Sequence, residues 1–153
     1  GAEFPIALRF SQWKIQNYEA KLTRTPAELE AFLRPLVAAG IDLFHCSTRR
    51  FWEPEFGDSN LNLAGWTKKL TGKPTIAVGS VTLLDDVTKS FATDDNTAVA
   101  GIDDLLERLG RGEFDLVAIG RSLIVNPDWP VQIRNGGVEK LLPFSRTALS
   151  RLL

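Results

Sequence analysis

The sequence predicts an α/β fold built from four successive strand–helix units. Four short apolar runs recur along the chain, and segments with helical periodicity separate them. Strands that alternate with helices form a parallel sheet covered by helices. The runs contain few polar residues, as strands buried on both faces do. The expected strands span residues 4–10, 41–46, 74–78 and 114–119.

The first unit contains the clearest helix signal. Thr25 is a suitable N-cap, Pro26 fits the first helical position, and Glu28 completes a Thr-x-x-Glu capping box. Gly40 is expected to end the helix in a left-handed conformation. Apolar residues recur with helical spacing and predict one buried face. They are Leu29, Phe32, Leu33, Leu36 and Val37.

The later units are less regular. A loop rich in charged and aromatic residues, 47–61, follows the second strand, and a helix is expected over 63–70 with Gly72 at its end. Residues 83–96 are polar and poorly periodic. From about Thr97 a second clear helix is expected. Its inward face would hold Ile102, Leu105, Leu106 and Leu109, with Gly110 after them.

Two architectures fit four such units. One is a small doubly wound parallel sheet, and the other is half of a (β/α)₈ barrel, whose complete form needs about 250 residues. The chain has 153 residues, so length alone favours the small sheet. In either case we expect one domain over residues 1–153, because this length is typical of a single domain.

Composition narrows the classes of partner. The chain is 44% hydrophobic and 24% charged with a net charge of −1, which is ordinary for a soluble globular protein. Without a basic excess, we expect no binding to nucleic acid or to an anionic membrane. No apolar run approaches the ~18 residues of a membrane span. Cys46 is the only cysteine, so no intrachain disulfide is expected and a cytoplasmic location is predicted.

The strand ends are the expected place for a ligand, because ligands gather at the carboxyl ends of parallel strands in both architectures. The third strand ends in Gly79-Ser80 and the fourth in Gly120-Arg121. Glycine lets a backbone approach an anion closely, a helix start favours negative charge, and arginine can bind an anion bidentately. These pairs indicate either a phosphate site or two tight turns beside a solvated arginine.

Arg9 is unusual because it lies near the end of an apolar strand. A buried guanidinium needs a partner, since an unpaired buried charge is very costly. That partner is either a carboxylate of the same protein or an electron-rich ligand, such as the pyrimidine edge of a flavin. His45 is the only histidine, and it is either a core residue or a catalyst. With no second Cys or His near Cys46, no metal site is predicted.

The long loop after the second strand carries Arg49, Arg50, Phe51 and Trp52. Long loops at this end of a strand tend to carry function. Phe51 and Trp52 are therefore candidate substrate contacts, and an interface or lid contact is the equal alternative.

Four segments together resemble the C-terminal half of the old yellow enzyme family. They are LRFSQWK (8–14), DLFHCSTRRFWEPEF (42–56), KPTIAVGSV (73–81) and FDLVAIGRSLIVNPDWP (114–130). Members of that family are NADH:flavin oxidoreductases on a (β/α)₈ barrel with FMN at its C-terminal face. The resemblance implies that the four strands correspond to strands five to eight, so that the domain is a half-barrel.

The resemblance also implies roles for individual residues. Arg9 matches the arginine that contacts the N1/O2 region of the flavin. Gly79 and Ser80 match the loop that contacts the FMN phosphate through its backbone, and Gly120 with Arg121 matches the Gly-Arg pair that completes the phosphate site. No catalytic residue is expected here, because the family's substrate-binding pair and proton-donating tyrosine belong to its first four strands.

The function implied is that of an FMN-dependent oxidoreductase. NADH or NADPH would reduce FMN, and hydride would pass to an activated alkene of the enone type. The expected partner is the N-terminal half of the barrel or a second copy of the chain, and the isolated chain is not expected to be catalytically complete. Two alternatives remain: a self-associating half-barrel without enzymatic activity, and a small domain that binds a phosphate-bearing ligand.

Overall fold

The computed structural model describes residues 3–14, 16–92 and 97–151 and contains a four-stranded parallel sheet. Each strand pairs with the next one along the chain, in the order β1-β2-β3-β4. A doubly wound sheet reverses its strand order at a switch point, whereas consecutive barrel strands do not. The strand order is therefore that of a barrel segment. The strands are β1 (Ala7–Ser11), β2 (Leu43–Ser47), β3 (Thr75–Val78) and β4 (Leu116–Ala118).

Helices connect and follow these strands. α1 (Pro26–Ala38) joins β1 to β2, and α2 (Leu63–Thr71) joins β2 to β3. Between β3 and β4 lie α3 (Val87–Ala92) and α4 (Asp103–Gly110). The chain continues after β4 with α5 (Arg121–Val125), α6 (Trp129–Arg134) and the 3₁₀ helices Val138–Lys140 and Arg146–Arg151.

The core lies against one face of the sheet. Side chains alternate along a strand, so Phe44 and Cys46 of β2 point to one face and are fully buried, while His45 points to the other and is half-buried. Phe44 and Cys46 pack in one cluster with buried residues of three helices. These include Leu29 and Leu33 of α1, Leu63 of α2 and Leu105 of α4.

The predicted helix signals of the first unit are confirmed. Thr25 Oγ1 accepts a hydrogen bond of 3.2 Å from the Glu28 backbone N–H. Glu28 Oε2 accepts one of 2.7 Å from the backbone N–H of Arg24, so the capping box closes one residue before the cap. Gly40 and Gly72 follow α1 and α2 with φ of 98° and 67°, the left-handed conformation expected of glycine after a helix.

The expectation that the strands are buried on both faces is wrong for the chain as it stands. β1 begins at Ala7 rather than at residue 4, and the side chain of Phe4 is exposed. Leu116 of β4 is 53% exposed, and Ala7 and Arg9 of β1 are also exposed. The physical reason is that the helices form their core against one face only. The apolar residues on the other face form a pattern typical of a surface that packs against another part of a protein.

The unit between β3 and β4 departs most from expectation. α4 begins at Asp103 rather than near Thr97, and Leu106 is 50% exposed rather than inward. Arg108 takes a buried place instead, because its guanidinium pairs with Glu113 at 3.2 Å and with Asp104 at 3.0 Å. The segment predicted to lack periodicity contains the short helix α3, and its residues 93–96 lie outside the described residues.

Within the described ranges, no helix is long and apolar enough to cross a membrane.

Candidate functional site

A cavity of about 410 Å³ opens at the carboxyl ends of the four strands. This volume lies within the range of small-molecule sites. Loops after all four strands contribute to its wall. The predicted cofactor-binding residues Arg9, Gly79, Ser80, Gly120 and Arg121 all line it.

The structure does not bring the two predicted substrate contacts to this cavity. Phe51 is 5% exposed and belongs to the hydrophobic core, where Trp52 packs edge-on against it with 5.0 Å between ring centroids. Neither residue is part of the cavity wall, and their neighbour Arg49 lines it in their place, together with Trp13. The long loop rich in arginine and aromatic residues therefore reaches the cavity through Arg49 rather than through Phe51 and Trp52.

The loop after β3 has an unusual backbone. Gly79, Ser80 and Thr82 have φ of 137°, 48° and 56°, and a left-handed conformation is uncommon in residues other than glycine. Ser80 Oγ lies 3.0 Å from the Asp85 carbonyl oxygen, and Thr82 Oγ1 donates to Ser122 Oγ at 2.9 Å. Turns of this kind present successive backbone N–H groups to one side, which makes them suitable for holding an anion.

Gly120 is open on its cavity side. Its φ is −111°, and a Cβ built there would have no atom within 4 Å in the part of the chain that is described. Gly79 differs, because a Cβ there would lie 2.8 Å from the Thr48 carbonyl oxygen. Packing therefore requires glycine at 79, whereas the space beside Gly120 leaves room for a ligand to approach the backbone.

Arg121 brings a positive charge to the same place. Its Nη2 donates to the Asp85 carbonyl oxygen at 2.9 Å and to Ser80 Oγ at 3.2 Å, and its Nη1 donates to the Asp86 carbonyl oxygen at 3.1 Å and to Ser90 Oγ. Among the described residues no carboxylate forms an ion pair with it. Burial lowers the pKa of Arg121, against the opposing charges of Asp86 and Asp85. The hydrogen bonds of the guanidinium thus hold the loop after β3 in place. Its charge lies beside the cavity and has no ion-pair partner among the described residues.

Arg9 lies on the uncovered face at the end of β1. Its Nη2 donates to Ser47 Oγ at 3.0 Å, and no carboxylate of the described chain pairs with it. It faces His45 across the β1–β2 pairing. Burial and then the charge of Arg9 lower the pKa of His45, whose Nε2 is buried without a hydrogen-bond partner. The folded state therefore favours the neutral form of His45. Of the two partners considered for Arg9, a carboxylate in the described chain is not found.

A chain of polar contacts joins the four loops around the cavity. Tyr18 Oη donates to Glu53 at 2.6 Å, and Arg50 pairs with Glu53 and with Asp86, each at 2.7 Å. The backbone of Asp86 then accepts from Arg121. These residues follow β1, β2, β3 and β4, so the wall of the cavity is held in place by contacts within this chain.

The environment shifts the pKa values of two further groups, Cys46 and Tyr18. Burial raises the pKa of the Cys46 thiol to about 12, so it is not a nucleophile at neutral pH. Burial and then the hydrogen bond to Glu53 raise the pKa of Tyr18. No group of three or more His, Cys, Asp and Glu side chains that could hold a metal occurs within the described ranges.

The chain resembles known proteins in structure rather than in sequence. No family model matches it, and no curated protein matches it in sequence. A mutant of morphinone reductase in complex with tetrahydroNAD aligns over 91% of this chain and 30% of its own, with a TM-score of 0.51 and 18% identity. The 6-hydroxypseudooxynicotine amine oxidase HisD from Pseudomonas geniculata N1 aligns over 90% of this chain and 18% of its own, with a TM-score of 0.50 and 22% identity.

These similarities establish the fold class. The chain spans less than a third of each neighbour, and both neighbours are enzymes with a TIM barrel. Together with the consecutive parallel strands, this confirms the predicted α/β fold of four strand–helix units and agrees with a half-barrel. At these identities the comparison bears on fold alone.

Proposed function

We propose that this chain is the FMN-binding half of an NAD(P)H-dependent flavin oxidoreductase of the old yellow enzyme family. The observation that carries the proposal is the space beside Gly120, which lies on the cavity wall with the left-handed turn at Gly79 and Ser80. Arg121 adds a positive charge there, and it forms no ion pair among the described residues. A phosphate fits this combination of close backbone approach, directed N–H groups and positive charge. The fold shared with a reductase that binds tetrahydroNAD supports the same class.

Each predicted residue has a task in this proposal. The backbone at Gly79, Ser80 and Gly120 would hold the phosphate, with the charge of Arg121 behind it. Arg9 would place its guanidinium against the electron-rich edge of the ring system and stabilise negative charge there. When bound, FMN supplies hydride transfer between NAD(P)H and an activated alkene such as an enone.

The residues of this chain would bind and orient the cofactor, and the proton donor would come from elsewhere. Tyr18 is the only tyrosine, and its hydroxyl is committed to Glu53 with a raised pKa. The remaining half of the site would be supplied by the partner that covers the open sheet face. We propose the N-terminal half of a barrel for that role, with a second copy of this chain as the alternative.

A flavin titration tests the proposal. We expect FMN to bind with quenching of its fluorescence and riboflavin to bind more weakly, because the phosphate contributes charge-assisted hydrogen bonds. Gly120→Val should weaken FMN binding and leave riboflavin binding nearly unchanged. Gly57→Val is the matched control, since Gly57 also has open space around it and lies outside the cavity wall.

Three outcomes decide between the functions considered. Equal affinity for FMN and riboflavin would contradict a phosphate site at Gly120. If inorganic phosphate displaces FMN as effectively as a second flavin nucleotide does, a small phosphate-binding domain is favoured instead. If flavin does not bind and the chain forms a discrete oligomer, the self-associating scaffold is the better description.

A further inference from the structure

Arg49 has no role in the proposed function, yet it lines the same cavity. Its guanidinium carbon lies 3.8 Å from the ring centroid of Tyr18 and 4.7 Å from that of Trp13. The two rings meet edge to face, with 5.7 Å between centroids. Arg49 follows β2, whereas Trp13 and Tyr18 follow β1, so the contact joins two loops of the cavity wall.

The N–H groups of Arg49 lack partners. Within the described residues its side chain forms no ion pair, and its Nε is buried without a hydrogen bond. The next residue, Arg50, pairs with both Glu53 and Asp86. Contact with a ring face attracts the charge but satisfies none of the five in-plane donors of a guanidinium. Arg49 is therefore a cation whose donors are left for something outside the described chain.

The cavity has an excess of positive charge. Arg9, Arg49 and Arg121 line it, and among the residues that the structure describes no aspartate or glutamate does. In the proposed function the phosphate lies beside Arg121 and the flavin edge lies beside Arg9. The charge of Arg49 is then the one without a counterpart. Several cations around one cavity repel each other unless anions join them.

The position of Arg49 is fixed by its backbone. Its carbonyl oxygen accepts a hydrogen bond of 3.0 Å from Ser80 Oγ, and Thr48 Oγ1 donates to the Val78 carbonyl oxygen at 2.5 Å. The same backbone lies against Gly79, where no side chain would fit. A residue whose backbone is already held in place loses less conformational entropy when a ligand binds.

From these contacts we infer that Arg49 binds the carboxylate of a second ligand, so that the substrate sharing this cavity with FMN is an unsaturated organic acid. A guanidinium has parallel N–H groups that match a planar carboxylate, and contacts with Tyr18 and Trp13 hold the guanidinium of Arg49. Trp13 supplies an apolar wall for the body of the ligand. The inference names the substrate class for the proposed site and rests on the proposed function in that respect.

A pair of ligands of the same shape tests this without any variant. Cinnamate and cinnamamide differ only in the carboxylate, and each would be titrated by calorimetry into the FMN-loaded chain and into the chain without FMN. We expect cinnamate to bind about tenfold more tightly, the effect of one charge-assisted bidentate contact. Equal binding of the two ligands overturns the inference.

Variants assign the preference to Arg49. Arg49→Gln should abolish the preference for cinnamate, and Arg49→Lys should retain little of it, because an ammonium group cannot bind bidentately. Arg34→Gln makes the same change of charge at an exposed site on α1 and should retain the preference in full. A preference that persists in Arg49→Gln, or is lost equally in Arg34→Gln, contradicts the inference.

The same titrations separate this inference from the proposed function. A preference for cinnamate that depends on Arg49 in a chain that binds no FMN would support the anion subsite and contradict the cofactor. FMN binding without a preference for cinnamate would support the cofactor and contradict the anion subsite. Adding ADP-ribose tests the other source of an oxyanion. If it binds through Arg49 while cinnamate does not, the subsite belongs to the phosphates of the reductant and the inference is wrong.

Discussion

Gly79 and Gly120 both line the cavity, but the chain uses them differently. Gly79 has a left-handed φ, and any side chain there would meet the backbone of Thr48 and Arg49. Gly120 meets neither condition. From the sequence alone the two positions cannot be distinguished, because each is a glycine that follows a strand. Only the path of the neighbouring loop separates a glycine needed for folding from one that leaves space for a ligand.

We therefore expect Gly79→Ala to destabilise the chain and Gly120→Ala to leave its stability nearly unchanged. The loss at Gly79 should be about 1–3 kcal/mol, because a side chain would combine a strained φ with a steric clash. Urea unfolding followed by circular dichroism measures the difference. Gly57→Ala is a neutral reference at an exposed glycine. Equal stabilities of the Gly79 and Gly57 variants would show that the loop can move away.

His45 allows a direct measurement of the charge on the open sheet face. Its pKa is lowered first by burial and then by Arg9, and as the only histidine it gives a single NMR titration curve. Arg9→Gln should raise the pKa of His45 toward its ordinary value without reaching it, because the burial remains. Arg34→Gln should have no effect. An unchanged pKa in Arg9→Gln would place the Arg9 charge away from His45.

The direction of this shift also predicts how stability changes with pH. Folding lowers the pKa of His45, so the folded state favours the neutral ring. The contribution of His45 is therefore fully present above its unfolded pKa of about 6.5 and is lost as pH falls below that value.

At the scale of elements, the carboxylate of Asp86 stabilises the start of α3. Asp86 precedes the helix, and its Oδ1 accepts hydrogen bonds from the backbone of Thr88 at 2.9 Å and of Lys89 at 3.1 Å. Its other oxygen pairs with Arg50. Although burial acts to raise the pKa of Asp86, these hydrogen bonds and the charge of Arg50 lower it overall.

We expect Asp86→Asn to loosen α3 and the loop that carries Arg121. The loss should be about 1–3 kcal/mol, the cost of removing a charged partner from a nearly buried pair. Hydrogen exchange should quicken in α3 more than in α1. Asp103→Asn, at the exposed start of α4, is the control and should change neither.

The difference in stability between the natural chain and Asp86→Asn should change with pH in a defined direction. A lowered pKa means that Asp86 stabilises the fold above its unfolded pKa, and that this stability is lost as pH falls through the folded value. The gap between the natural chain and Asp86→Asn should thus narrow in acid. A gap that is constant with pH would contradict the role given to the charge.

The elements also show what periodicity could predict. α1 was predictable because Thr25, Pro26 and Glu28 form its cap from adjacent residues and its apolar face is continuous. α4 was predicted to begin too early, because the chain before it makes bridges with distant segments, at Thr97 with Phe144 and at Val99 with Leu83. Its buried face was predicted without Arg108, whose ion pairs with Glu113 and Asp104 no local pattern reveals. The cofactor-binding candidates follow directly from strand ends, whereas Phe51 and Arg49 lie on a loop whose direction is set by contacts distant in sequence.

At the scale of the whole molecule, the chain has a sheet with one covered and one uncovered face. Apolar side chains occur on both, and Leu116 is 53% exposed on the open one. β1 and β4 are also sheet edges with unpaired backbone groups. Exposed apolar faces and open edges both promote association. The continuous apolar runs that were interpreted as burial on both sides therefore carry information about a partner surface.

This predicts that the isolated chain associates through the open face. Sedimentation at increasing concentration should show species larger than the monomer, and Leu116→Glu should shift them toward the monomer, because a charge would be buried in the interface. Leu106→Glu is closely matched, since Leu106 is 50% exposed but lies on α4, away from that face. A chain that remains monomeric at high concentration, or equal effects of the two substitutions, would show that the apolar pattern does not mark an interface.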